Sequence, residues 1–177
     1  MKKIFVFLLF VSFSIGLNAQ NWKPTTANVS FKLKMLGATV DGKFKGFSGT
    51  LKFDPDNLAT SSLNASVDAN TLDTDNNLRN KHLKEKSEFF NVAKYPILKM
   101  KTTKIEKEGN NFVGYFDLTI KETTKAVKIP FTFKQEGNNA TFQGSTVINR
   151  RDWSVGGGTW GMSDNVTFTI LVNAVSQ

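Results

Sequence analysis

Cysteine is absent from the 177-residue sequence, and histidine occurs once, as His82. The lack of cysteine excludes disulfide bonds, thiolate metal sites, cysteine nucleophiles and a lipid-modified N-terminal cysteine. With a single histidine, few catalytic arrangements that depend on histidine are possible. The composition therefore excludes many of the common catalytic and metal-binding arrangements.

Long hydrophobic runs are also missing, except at the N-terminus. An uncharged apolar run over residues 4–17 follows Lys2 and Lys3, and Leu17-Asn18-Ala19 is a plausible small-residue cleavage site. This pattern predicts a secretory signal peptide over residues 1–19 and one mature domain over residues 20–177. A membrane anchor is the alternative, but a spanning helix needs about 20 apolar residues. We therefore expect a periplasmic or secreted protein.

Acidic residues are few relative to basic ones, with 15 Asp and Glu against 23 Lys and Arg and a formal charge of +8. Loss of the signal peptide removes two lysines, so the mature domain keeps a charge of +6. Such a charge favours anionic partners, but Lys32 and Lys34 alternate with apolar residues, as on the solvated face of a sheet. Because arginine clusters, zinc-finger spacings and aromatic RNA-binding motifs are absent, nucleic acid is not an expected partner.

Alternation of apolar and polar residues is the strongest local pattern. Val29, Phe31, Leu33 and Met35 share one face of a predicted strand. The same pattern recurs over residues 40–53, 63–69, 98–102, 112–120, 127–133, 142–148 and 166–174. A change of phase at Lys45-Gly46 predicts a bulge or sharp bend within the second segment. Short connections rich in Gly, Asn and Asp then predict about eight antiparallel strands.

Periodicity alone leaves a sandwich and a closed barrel as alternatives. Closure removes exposed strand edges, and an eight-stranded barrel is either filled or holds one small ligand. Glycines on the apolar faces favour a curved barrel with internal room, namely Gly42, Gly49, Gly114 and Gly144. We therefore predict an all-β fold, an eight-stranded antiparallel barrel with one short helix.

The segment from Asp73 to Val92 lacks alternation and is expected to hold the one helix. Thr74 or Asp75 is the predicted N-cap, and Phe89 and Phe90 are expected to pack where the chain leaves the helix. The start of the segment imitates a calcium loop, but its sixth position is Leu78 and its twelfth is Lys84, so no metal site is predicted. No Gly-x-Ser-x-Gly elbow supports a hydrolase, and no cofactor is expected.

The chain resembles the YceI-like polyisoprenoid-binding family in a series of motifs that occur in family order. They are Trp22 with Val29-Ser30-Phe31, residues 40–44 with 47–54, Thr71-Leu72-Asp73-Thr74 with Arg79 to Leu83, Phe89-Phe90-Asn91-Val92 with Tyr95-Pro96, Leu118-Thr119-Ile120-Lys121 with Thr123-Thr124-Lys125, Ile148 to Trp153, and Asp164-Asn165-Val166. The resemblance implies an exported lipocalin-like barrel that encloses an elongated isoprenoid lipid, without catalysis. A polyprenyl chain or an isoprenoid quinone is the expected ligand, held for carriage, storage or sequestration.

The resemblance also implies an apolar lining and a polar mouth. The predicted lining residues are Phe31, Phe44, Leu51, Leu83, Phe89, Phe90, Leu118, Phe131, Phe142, Trp153, Trp160 and Phe168. The predicted headgroup contacts are Arg79, His82, Arg150 and Arg151, because arginine suits bidentate phosphate binding. A glycine-rich stretch over residues 156–161 is expected to form a loop near the mouth, with Trp153 and Trp160 as lid or core.

A filled β-domain that acts through its charged surface is the alternative function. It would bind anionic envelope polymers or a protein partner, with affinity that falls as salt rises. The lipid-binding hypothesis requires an elongated apolar cavity instead. Peripheral contact with a membrane and formation of a homodimer are compatible with either interpretation.

Overall fold

The computed structural model of the protein describes residues 19–177. The predicted signal peptide lies outside the described residues, apart from Ala19, and stays a prediction. Nine strands follow one another: β1 (Gln20–Met35), β2 (Ala38–Phe44), β3 (Ser48–Phe53), β4 (Ser62–Asp68), β5 (Ile97–Glu108), β6 (Asn111–Ile120), β7 (Thr123–Glu136), β8 (Asn139–Asn149) and β9 (Asn165–Ser176). Helix α1 (Asn77–Glu85) and 3₁₀ turns at Leu58–Thr60, Ala69–Thr71 and Arg150–Trp153 complete the fold.

The sheet closes on itself because β1 pairs with β9 as well as with β2 and β3. One edge of β1 pairs with β3 over Gln20–Trp22 and with β2 over Val29–Met35. Strands β2 and β3 therefore share one position in the wall, and every neighbouring pair is antiparallel. The predicted eight-stranded antiparallel lipocalin-like barrel is confirmed.

The predicted irregularity at Lys45-Gly46 is a break that separates β2 from β3. Gly46 has a φ of +65°, and a Cβ there would lie 3.0 Å from the Cβ of Asp68. The left-handed conformation and the close approach both require glycine, so the chain can change direction here without a steric clash.

The two ends of the barrel have different connections, and we call them the aromatic end and the mouth. The aromatic end carries residues 54–61 and the tight turns at Gly109 and Gly137. The mouth carries the β1–β2 turn, residues 69–96 with α1, the β6–β7 turn and residues 150–164. Two clusters of buried apolar side chains follow this division, one toward each end.

The helix predicted between Asp73 and Val92 is present, but its predicted cap is wrong. Asn76 is the N-cap, and its Oδ1 accepts a hydrogen bond from the N–H of Arg79 at 2.9 Å. Asp75 has a φ of +55°, which is incompatible with the extended conformation of an N-cap. The hydroxyl of Thr74 instead accepts from Nε of Arg79 and contacts Asn80. Within residues 19–177, no helix is long and apolar enough to span a membrane.

Candidate functional site

A cavity of about 450 Å³ opens at the mouth, between the mouth-side ends of the strands, α1 and residues 150–164. Its apolar lining side chains outnumber the polar ones two to one. The volume falls in the range of about 300–1,000 Å³ that is typical of small-molecule sites. We call this space the main cavity.

Strand side chains form the wall of the main cavity. Phe31, Leu33 and Met35 point inward at alternate positions of β1, and Ile148 and Phe168 face them from β8 and β9. The alternation follows from the pleat, which turns successive side chains to opposite faces. The wall is therefore a direct consequence of the pattern in the sequence.

The glycines on the inner face do not create empty space, contrary to the argument that favoured a barrel. A Cβ at Gly42 would lie 2.1 Å from the ring of Phe31, and one at Gly114 would lie 2.2 Å from the ring of Phe116. The missing side chain at Gly42 and at Gly114 is instead replaced by a neighbouring phenylalanine ring. The predicted barrel is confirmed, but the main cavity does not lie at these glycines.

The roof of the main cavity is the segment that contains α1. Leu83 is the buried anchor of the helix, and its carbonyl accepts from the N–H of Phe90 at 3.0 Å. The ring of Phe90 packs edge-on against Phe44, with centroids 5.8 Å apart. Nζ of Lys121 donates to the carbonyl of Ser87 at 2.9 Å, which joins the roof to the β6–β7 turn. The roof is therefore fixed to the barrel by both packing and hydrogen bonds.

The loop beside the roof is organised by Arg150, whose side chain is only 4% exposed. Nε donates to Ser163, Nη1 to Val155 and Gly157, and Nη2 to Met162, in each case to the backbone carbonyl. Nη2 also donates to Oδ1 of Asp164 at 2.9 Å. Burial lowers the pKa of the Arg150 guanidinium, and the charge of Asp164 opposes that shift. All five N–H groups are thus engaged in holding the loop.

The predicted lining residues fall into four groups: the main cavity, two smaller voids, the packed core and the exposed surface. Those that line the main cavity are Phe31, Leu83, Phe89, Phe90 and Phe168. Those that lie deeper are Phe44 and Leu118 beside one small void, and Leu51, Phe131 and Phe142 beside a second. Trp153 is packed in the core, where its Nε1 donates to the carbonyl of Leu118 at 3.0 Å. Trp160 is 84% exposed at the mouth, so it is part of neither core nor wall.

The predicted headgroup residues also differ in their surroundings. Arg79 and His82 project from α1 and line the main cavity. Nε and Nη2 of Arg79 donate to Thr74, while Nη1 makes no hydrogen bond within residues 19–177. Arg151 is 57% exposed and pairs with Asp164 at 3.5 Å. Of the four, Arg79 and His82 are therefore the two that line the main cavity and are not committed to the loop.

Sequence reasoning missed several lining residues. They are Leu33, Met35, Val40, Leu78, Ile120, Ile148, Val155, Met162 and Val166. Leu33, Met35 and Ile148 belong to the predicted inward faces, so the alternation had already marked them. Val155 and Met162 come from the loop, where no periodic signal exists, and Leu78 shares the predicted helix face with His82 and Leu83.

Two small voids continue the main cavity toward the aromatic end, and we call them the axial voids. The first, of about 70 Å³, shares Ile120, Ile148 and Phe168 with the main cavity. The second, of about 60 Å³, shares Phe47 and Met100 with the first. A row of apolar spaces therefore runs from the mouth to the rings of Phe131 and Phe142.

A family model described as the YceI-like domain matches residues 21–174. The chain belongs to the YceI family. This YceI-family chain is 31% identical over 158 residues to Protein YceI of Salmonella arizonae, a match covering 85% of this chain and 82% of that protein.

Solved structures share the fold of this YceI-family chain. BcnA of Burkholderia cenocepacia matches with a TM-score of 0.80 at 29% identity, covering 84% of this chain and 96% of BcnA. A polyisoprenoid binding domain from Saccharophagus degradans, implicated in plant cell wall breakdown, matches with a TM-score of 0.69 at 13% identity. That match covers 90% of this chain and 99% of the domain, and at this identity it concerns the fold.

Proposed function

We propose that this protein binds an isoprenoid lipid inside the barrel and carries, stores or sequesters it without catalysis. The observation that carries the proposal is the series of apolar spaces, in which the main cavity and the two axial voids are neighbours that share lining side chains. An elongated hydrocarbon chain fits such a row better than a compact ligand does. The structural similarity to a polyisoprenoid binding domain supports the same conclusion.

The physical driving force is the removal of hydrocarbon from water. Burial of apolar surface contributes roughly 25 cal/mol per Å², so a flexible chain binds without specific polar contacts along its length. The apolar side chains of the main cavity provide this environment on the wall and under the roof alike. The rings of Phe31 and Phe168, in contact with centroids 5.9 Å apart, form one side of the wall along which the chain would lie.

We expect the polar end of the ligand to lie beside α1. Arg79 lines the cavity, and Thr74 fixes its guanidinium through Nε and Nη2, which leaves Nη1 for a ligand. His82, one turn further along the helix, lines the same space. Together they would bind a phosphate or a quinone oxygen. Arg150 and Arg151 act on the loop through Asp164 rather than on the ligand.

Surface recognition by a filled domain is the weaker explanation. It requires a solid core, whereas the mouth contains the main cavity of about 450 Å³. We propose a periplasmic or extracellular location, because the sequence predicts a secretory signal peptide over residues 1–19.

A matched pair of variants tests binding. Ile148 points into the junction of the main cavity and the first axial void, while the adjacent Val147 is 59% exposed on the outer face of β8. Ile148→Trp fills the path and should weaken binding of a polyprenyl phosphate or isoprenoid quinone by about tenfold or more. Val147→Trp should leave binding unchanged. Equal affinities for both variants, with both folded by circular dichroism, would contradict the proposed location.

The headgroup assignment has its own test. Arg79→Gln should weaken binding of polyprenyl phosphate more than that of the uncharged polyprenol, because it removes a charge-assisted hydrogen bond. Arg151→Gln is the control, since its side chain faces solvent and Asp164. Equal effects of Arg79→Gln on the two ligands would remove Arg79 from the headgroup site.

A further inference from the structure

Large apolar side chains are exposed around the mouth in a way that the fold does not require. Trp160 is 84% exposed, Leu78 is 65% exposed and Leu36 is 62% exposed. The other two tryptophans, Trp22 and Trp153, are buried. Exposed apolar residues that cluster next to a cavity, rather than singly, mark an interaction site.

The three residues belong to one surface, which we call the apolar rim. Leu36 follows Met35, Trp160 lies between Thr159 and Met162, and Leu78 itself lines the main cavity. The N–H of Leu36 donates to the carbonyl of Gly161 at 2.7 Å, so the β1–β2 turn and the loop that carries Trp160 are joined. The rim therefore borders the opening through which a ligand would pass.

Leucine at position 36 is a poor choice for the turn itself. Leu36 and Gly37 have φ values of +51° and +81°, the pattern of a two-residue hairpin loop. Such loops favour Asn-Gly or Asp-Gly, and a bulky residue at positive φ is uncommon. Asparagine would suit the turn better. The Leu36 side chain packs over Gly161 yet keeps most of its surface exposed, so that apolar surface is available for a contact outside the chain.

Charge differs between the two ends of the barrel. The connections at the aromatic end, residues 54–61, 108–111 and 136–139, contain Asp54, Asp56, Glu108 and Glu136 and no Lys or Arg. The connections at the mouth, residues 36–37, 69–96, 121–122 and 150–164, contain eight basic and seven acidic side chains, and the basic excess lies in residues 77–88, with four basic and two acidic side chains. An anionic surface would repel the acidic aromatic end and attract residues 77–88, so charge favours the mouth as the end that faces such a surface.

We propose that the apolar rim docks on the surface of an anionic phospholipid bilayer, with Leu36, Leu78 and Trp160 inserted at the boundary of headgroups and acyl chains. Tryptophan favours this interfacial region, and basic side chains add attraction to anionic lipid. The inference rests on the proposed function, because a bound isoprenoid would enter or leave the barrel through this contact. Docking places the main cavity directly over its source of lipid.

Vesicle binding tests the docking surface. The mature protein should sediment with vesicles of phosphatidylethanolamine and phosphatidylglycerol, and less with vesicles of phosphatidylcholine. Trp160 emission should shift to shorter wavelength and be quenched by brominated acyl chains, whereas the buried Trp22 and Trp153 should not respond. Leu36→Asn with Trp160→Asn should reduce vesicle binding by about tenfold or more.

The variants separate docking from folding. Leu36→Asn alone should keep or raise thermal stability while it weakens vesicle binding, because asparagine suits the turn. Val147→Asn, which alters an exposed apolar residue on the barrel wall, should leave vesicle binding unchanged. Undiminished sedimentation of the double variant, or failure of the wild-type protein to bind either vesicle, would overturn the proposal.

Failure of docking is distinguishable from failure of lipid binding. Protein that retains an isoprenoid but ignores vesicles would overturn the apolar rim and leave the cavity assignment intact. Protein that binds vesicles through the rim but takes up no isoprenoid would support docking and overturn the proposed ligand.

Discussion

At the aromatic end of the barrel, Phe53 is completely buried, with ring centroids of Phe112, Phe131, Phe133 and Phe142 at 5.0, 5.7, 4.8 and 5.7 Å. At the mouth, the same kind of inward-pointing phenylalanine, Phe168, faces the main cavity of about 450 Å³. Strand side chains alternate between inside and outside at both ends of the barrel. The ends differ in the length of the segments that connect the strands.

The connections decide which end is hollow. The longest connection at the aromatic end is residues 54–61, and the side chains of the strands themselves fill the interior there. At the mouth, residues 69–96 and 150–164 bridge the opening and hold a roof above it. A barrel can therefore combine a packed end that supplies stability with an open end that binds a ligand.

The largest expected effect is on the free energy of unfolding, and it differs between two phenylalanines. Phe53→Ala should lower the free energy of unfolding by about 3–5 kcal/mol, because it leaves a void among packed rings. Phe168→Ala should cost less, about 1–2 kcal/mol, because the side of its ring that faces the cavity has no packing partner to lose. Denaturant unfolding of both variants measures the difference. Equal losses would mean that the mouth is packed as tightly as the aromatic end.

A second comparison concerns two adjacent arginines at the mouth. Arg150→Met should lower the free energy of unfolding by about 3 kcal/mol, because it leaves four carbonyls and Asp164 without the buried guanidinium. Arg151→Met should cost about 0–1 kcal/mol, since its ion pair with Asp164 is exposed. Limited proteolysis should then cut residues 155–162 faster in Arg150→Met alone. Similar stability of the two variants would show that Arg150 does not hold the loop.

The smallest expected effect is a pH dependence of the roof. The N–H of Asp75, the amide of Asn80 and the charge of Lys43 lower the pKa of Asp73. A carboxyl group with a depressed pKa stabilises the fold above its unfolded pKa of about 3.9, and that stabilisation is lost as pH falls through the folded pKa. Amide exchange around the start of α1 should therefore accelerate in acid, before exchange in the strands of the aromatic end.

Asp73→Asn provides the control for this effect. The variant should remove the pH dependence between neutral pH and the folded pKa, because the ionised carboxylate no longer contributes. Acid-induced exchange that is unchanged in Asp73→Asn would assign the effect to another group.

Much of the barrel was predictable because alternation reports burial directly. The strands from Val29 to Met35 and from Phe112 to Ile120 lie where the period of two predicts them, and the break near Gly46 coincides with the change of phase. The helix was found by the absence of that pattern, although its cap moved to Asn76 because Asp75 adopts a left-handed conformation.

The hollow was not predictable from the same pattern. Alternation predicts that Phe53 and Phe168 both point into the barrel. It does not predict how much of each ring contacts other side chains. The inference of internal room from the inner-face glycines was wrong for a related reason. The space above Gly42 depends on the rotamer of Phe31 in the neighbouring strand. The role of Arg150 depends on where five loop groups lie after folding, which no spacing in the sequence encodes.

The central claim is that the hollow end of the barrel holds an isoprenoid. The direct measurement is native mass spectrometry of the mature protein, purified without detergent from the exported fraction, followed by organic extraction. The account predicts one isoprenoid per chain in the wild-type protein and in Val147→Trp, and its loss in Ile148→Trp. A wild-type protein that carries no lipid and takes up no added polyprenyl phosphate or isoprenoid quinone would contradict it.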